Sequence, residues 1–130
     1  MGRPSENELA TAVVDVAYHV HRKLGPGLLE SAYEAIMVHE LKQRGFRVES
    51  QASVPLLWGG IEVETAYRAD LIVDGKMIVE LRSIEQIAPV HKKQLLTYLR
   101  ITDCRLGLLI NFGCELFKNG VSRVVNNLEE

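Results

Sequence analysis

The sequence has no excess of positive charge, little cysteine and no long apolar run, and each shortage excludes a class of protein. Lys and Arg number 15 against 17 Asp and Glu, a formal net charge of −2. A nonspecific nucleic-acid binder usually carries a basic excess, so any nucleic-acid contact must come from a local patch. Cysteine occurs twice, at Cys104 and Cys114, outside any CxxC pair. Two buried thiols in a reducing compartment are expected, not a disulfide framework. No apolar stretch approaches the roughly 18 residues of a membrane span, and the opening MGRPSENELATAVVD lacks the apolar segment of a signal peptide. A cytoplasmic protein that stays out of the membrane is expected. There is no repeat, linker or low-complexity segment. What remains is ordinary: 47% apolar and 25% charged residues over 130 positions. That is enough for one domain, residues 1–130, with a core that needs no staples.

Ser5 and Glu8 stand three apart ahead of Leu9, Val13, Val16, Val20 and Leu24. This is a capping box followed by helical spacing, and it predicts a helix over 6–24. Gly25-Pro26-Gly27 stops it. Leu29, Tyr33, Ile36, Met37 and Leu41 predict a second helix over 28–44, with Gly45 just past its end. Strands follow at 48–57, 61–73 and 76–82, the last pair joined at Asp74-Gly75, a hairpin signal. Pro89 suits the first turn of a helix over 89–102. RLGLLINF, 105–112, is apolar enough for a strand covered on both faces, and a short strand at 121–125 ends the pattern. The order ααβββαββ places a helical crossover between the third and fourth strands. It implies an α/β (α+β) fold with a mixed sheet flanked by helices.

Two acids interrupt the Asp74-Gly75 hairpin, RADLIVDGKMIVELRS, at Asp70 and Glu80. Simple alternation puts Ile61, Val63, Thr65, Tyr67, Ala69, Leu71 and Val73 on one face of their strand, with Asp70 on the other. Glu80 and Arg82 share a face of the next. A two-residue loop would set Asp70 opposite Val79 and turn the acids apart. A three-residue loop or a bulge would set Asp70 opposite Glu80. The second register is expected, because it alone puts both acids on one surface. Paired carboxylates repel unless a cation joins them, and Mg²⁺ takes one or two carboxylates with water and phosphate. On spacing alone, acids that are solvated or salt-bridged to Arg68 and Arg82 are the plainer account.

Other motifs alter that balance. Gly27-Leu-Leu-Glu30-Ser-Ala-Tyr33 is a G-x-x-E-x-x-Y pattern, and Gln94-Leu-Leu-Thr-Tyr98 a Q-x-x-x-Y pattern. With Asp70, Glu80-Leu81-Arg82 and Leu106-Gly-Leu-Leu-Ile-Asn-Phe-Gly113, the chain resembles the GxxExxY protein family over about residues 8–126. That family is similar to the PD-(D/E)XK nuclease superfamily with the RecB-type Q-x-x-x-Y motif. The resemblance implies a restriction-endonuclease-like fold and a nuclease that uses Mg²⁺ or Mn²⁺ on DNA or RNA. It implies Asp70 and Glu80 as metal ligands, Glu30 as a supporting acid, and Gln94 and Tyr98 as the substrate flank. Arg82 stands where the family pattern has lysine. Arginine keeps its proton at any usable pH, so it cannot act as a base, but it can steady charge on a phosphate. The nuclease expectation therefore includes an enzyme impaired by Arg82, and a non-catalytic module with a nuclease-like fold that binds nucleic acid or protein is the alternative. Leu56-Leu57-Trp58, a core segment or a strand end, leaves homo-oligomerisation open.

Overall fold

The computed structural model describes residues 3–129, apart from the side chains of Thr65 and Ala66. Helix α1 (Glu6–Leu24) begins at Ser5 with the expected reciprocal cap. The Glu8 N–H donates to Ser5 Oγ and the Ser5 N–H to Glu8 Oε1, each at 3.2 Å. Leu9, Val13, Val16 and Val20 are buried, while Leu24 projects from the last turn and is exposed. Helix α2 (Glu30–Gln43) starts two residues later than its spacing predicts. Leu29 takes an extended backbone as its N-cap and is exposed, so it does not join the apolar stripe. Tyr33 explains why the chain can reverse so tightly between the helices. Its hydroxyl donates to the Gly25 carbonyl at 2.5 Å and accepts the Leu28 N–H at 3.2 Å. Its ring stacks on Phe112 at 4.3 Å between centroids.

Five strands, β1 (Val48–Trp58), β2 (Ile61–Val73), β3 (Met77–Arg82), β4 (Leu106–Asn111) and β5 (Val121–Val125), lie side by side in chain order. All neighbours are antiparallel except β3 and β4, which are parallel and joined through α3 (Pro89–Thr102). The expected α+β architecture with a mixed sheet is therefore present, and β4 is buried along its whole length. Leu106, Leu108 and Ile110 pack with α1 and α2 on one side, and Leu109 packs with Leu95 and Leu99 of α3 on the other. Among the described residues, no helix is long and apolar enough to cross a membrane.

The β2–β3 turn adopts the three-residue solution. Asp74 and Gly75 both have positive φ, 51° and 65°, and the Lys76 N–H bonds to the Val73 carbonyl at 3.0 Å. Lys76 is then one residue more than a tight hairpin needs, so Val73 pairs with Met77 and Leu71 with Val79. The alternation expected along β2 does not hold. Tyr67 and Ala69 belong to the α3-side core, whereas Leu71 and Val73 belong to the α1/α2-side core. The strand changes phase at Asp70; the Thr65 side chain of that expected face lies outside the described residues. The β1–β2 hairpin closes through Gly59-Gly60, both at positive φ, and its tip carries Leu57 (74% exposed) and Trp58 (72%). That cluster is a strand end and not core.

Candidate active site

Regular β2–β3 pairing stops at Leu71↔Val79. In the next row, side chains replace the ladder. The Asp70 N–H donates to Glu80 Oε2 at 2.9 Å, and the Leu81 N–H donates to Asp70 Oδ2 at 2.9 Å. Each acid thus takes a backbone donor of the opposite strand, which locks both carboxylates into the opening between β2 and β3. The same row is irregular on β1. Gln51 lies between the pairs Ser50↔Leu71 and Ala52↔Ala69 and has φ 50°. Left-handed backbone in a non-glycine residue is costly and tends to occur at functional sites. Here it aims the amide across the row: Nε2 donates to Glu34 Oε1 at 2.6 Å and reaches Asp70 Oδ1 at 3.4 Å.

Arg82 provides the positive charge. Its Nη1 donates to the Leu81 carbonyl at 2.8 Å and lies 3.3 Å from Asp70 Oδ2, with both side chains 22% exposed. Glu80 is only 4% exposed. Burial first, and the neighbouring Asp70 charge second, push its carboxyl up to about 7, against the pull of the Asp70 N–H, Tyr67 and Arg82. Tyr67 and Tyr98 stack beside it. The Tyr67 hydroxyl is buried with no hydrogen-bond partner of normal geometry among the described residues, although it and Glu80 perturb each other's titration. Burial and then the Glu80 charge raise the Tyr67 phenol far above its usual range, and burial followed by the same charge raises Tyr98.

Of the six residues singled out by sequence, the fold bonds Asp70, Glu80 and Arg82 into one cluster. Tyr98 joins it through Tyr67. Glu30 is exposed at the first turn of α2 and, with Ser31, Glu34, Gln51, Leu81 and Asp70, lines a small pocket of about 220 Å³. Gln94 is exposed one turn before Tyr98 on α3, and among the described residues no hydrogen bond ties it to the cluster. His91 is half-buried, and its Nδ1 accepts the Ala88 N–H at 2.9 Å at the start of α3. Sequence reasoning missed Glu34, Gln51 and Tyr67. Glu34 was legible as the residue one turn after Glu30 on the same helix face. Nothing in the sequence signals a left-handed glutamine inside a strand.

The donors are all oxygen, the chemistry a hard divalent ion requires. Among the described residues, Asp70 Oδ1 has only the long Gln51 contact, and Glu80 uses Oε2 for its backbone bond. The pair fits an ion that is held by two carboxylates and otherwise hydrated. It does not form a dense ligand cage: among the described residues no three His, Cys, Asp or Glu side chains converge as a metal site.

A mixed sheet flanked by helices, with interlocked acids and a basic residue at the strand opening, defines a restriction-endonuclease-like α+β protein. The family model of the PD-(D/E)XK nuclease superfamily matches residues 7–124, and the chain belongs to that superfamily. No curated protein and no solved structure matches it.

Proposed function

We propose that the protein is a Mg²⁺-dependent nuclease that hydrolyses phosphodiester bonds of DNA or RNA, with Asp70 and Glu80 as the metal ligands. The observation that carries this reading is the interlock of the two carboxylates at the end of the β2–β3 ladder, in a chain of this superfamily. A divalent ion in such a site polarises a phosphoryl oxygen and lowers the pKa of a bound water. The chain's own residues do the rest. The backbone N–H groups of Asp70 and Leu81 hold the carboxylates in fixed rotamers before substrate arrives. Arg82, permanently charged, stabilises negative charge on the phosphate and cannot serve as the base. Glu30 and Glu34 keep the pocket beside Asp70 acidic, and Gln94 and Tyr98 present α3 to the substrate.

The test is cleavage of single- and double-stranded DNA and RNA with Mg²⁺ or Mn²⁺, comparing the protein with Asp70→Ala and Glu80→Ala. Loss of at least about a hundredfold in either variant is expected, the scale of removing a group that stabilises transition-state charge. Cleavage unchanged in both variants overturns the assignment. A second reading, a nuclease-like module that binds nucleic acid or a protein without cutting, draws on the bond between Arg82 and Asp70. It expects nucleic-acid binding without cleavage under any metal, and no gain from Arg82→Lys.

A further inference from the structure

We infer that Arg82 is a resident counter-ion that competes with the divalent metal for its own site, so that metal binds only as the guanidinium swings away. The inference rests on the carboxylate pair being the metal site. Two contacts carry it. The same nitrogen of Arg82, Nη1, contacts both a carboxylate oxygen of Asp70 and the carbonyl oxygen of Leu81, at 3.3 and 2.8 Å. Asp70 is also one of the two carboxylates that would hold the metal, so the guanidinium and a hard cation draw on the same anionic side chain. The guanidinium already provides there the positive charge that Asp70 needs.

Three physical consequences follow. Arginine cannot leave by losing its proton, so it must move bodily. A metal arriving while it stays would meet a like charge in a poorly hydrated corner, where Coulombic terms are stronger than in water. The planar fork prefers two-point contacts with oxyanions, so a phosphate group entering the site offers it a better partner than a carboxylate that is already bonded to the Leu81 N–H. Metal binding and phosphate binding are then positively coupled through one side chain, and coupling of this kind is reciprocal. The free protein then binds metal weakly, and substrate strengthens that binding.

The experiment is isothermal titration of Mn²⁺ into the full chain, without substrate, for the protein and for Arg82→Gln, Arg82→Lys and the double variant Arg82→Gln/Asp70→Asn. Arg82→Gln is expected to bind Mn²⁺ about tenfold more tightly, the scale of releasing one charge-assisted contact. Arg82→Lys, which keeps the charge, is expected to fall between the two, and the double variant to lose the gain. If Arg82→Gln fails to fold by circular dichroism, Arg82→Met carries the same expectation. Equal or weaker Mn²⁺ binding by the charge-removed variant overturns the inference while leaving the carboxylate pair as the metal site. Absence of Mn²⁺ binding in every variant instead overturns the metal-site reading itself, and the inference with it.

Discussion

Replacing Glu80 by glutamine should make the folded protein more stable at neutral pH and abolish a pH dependence that Glu80 imposes. The ordinary glutamate value is 4.5 and that of Glu80 about 7, raised by burial and by Asp70. At about 1.4 kcal/mol per pH unit the gap corresponds to about 3 kcal/mol. The sign is unfavourable to folding as pH rises. Below pH 4.5 the carboxyl is protonated in both folded and unfolded chains and costs nothing. Between 4.5 and 7 the unfolded chain releases its proton while the folded one retains it, so stability declines. Above 7 the folded state also ionises, and the loss is complete and constant. The amide of Glu80→Gln keeps an oxygen to accept the Asp70 N–H and gains an N–H₂ that can donate to the neighbouring Tyr67 hydroxyl. Urea denaturation followed by far-ultraviolet circular dichroism, in metal-free buffer from pH 4.5 to 8, measures the difference between variant and parent. That difference should start near zero and approach about 3 kcal/mol by pH 8. A constant difference across the range would show that Glu80 does not titrate as argued. Millimolar Mg²⁺ should reduce the difference at pH 8, because it stabilises the ionised form that only the parent has.

Two further outcomes concern the frame of the site. Tyr33→Phe keeps the stack on Phe112 but removes the hydroxyl that serves the Gly25 carbonyl and the Leu28 N–H. It should cost about 1–3 kcal/mol in chemical unfolding and leave Mn²⁺ affinity unchanged; a drop in affinity would place Tyr33 in the site and not behind it. Gly113→Ala would set a Cβ 2.1 Å from the Ile84 carbonyl oxygen, and backbone cannot yield as a side chain does. A loss of about 2–3 kcal/mol is expected, the upper part of the overpacking range, and a loss under about 0.5 kcal/mol would mean that the 83–88 connection moves freely.

Local signals carried the elements well. The Ser5–Glu8 box, Gly25-Pro26-Gly27 and Pro89 act within a few residues of where they are read, and the boundaries they set for α1 and α3 hold. The register choice at Asp74-Gly75 was also within reach, since it follows from asking which pairing lets two acids meet. The phase change at Asp70 was not. It arises because Asp70 and Glu80 withdraw backbone donors from the ladder and because Gln51, a strand away, adopts a left-handed backbone. These are decisions of tertiary context, invisible to a count of alternating residues. Tyr33 was legible as a member of the apolar stripe of α2, and its side chain is fully buried; that its hydroxyl also secures the turn before the helix was not legible.

The one tryptophan of the chain, Trp58, sits at the far end of the longest hairpin and is largely open to solvent. Its emission should already be red-shifted in the native protein and should change little on denaturation, so fluorescence would report a melting curve badly. The same placement makes it a clean optical probe of docking: quenching or a blue shift on adding an oligonucleotide would come from that hairpin alone, undisturbed by any signal from the interior.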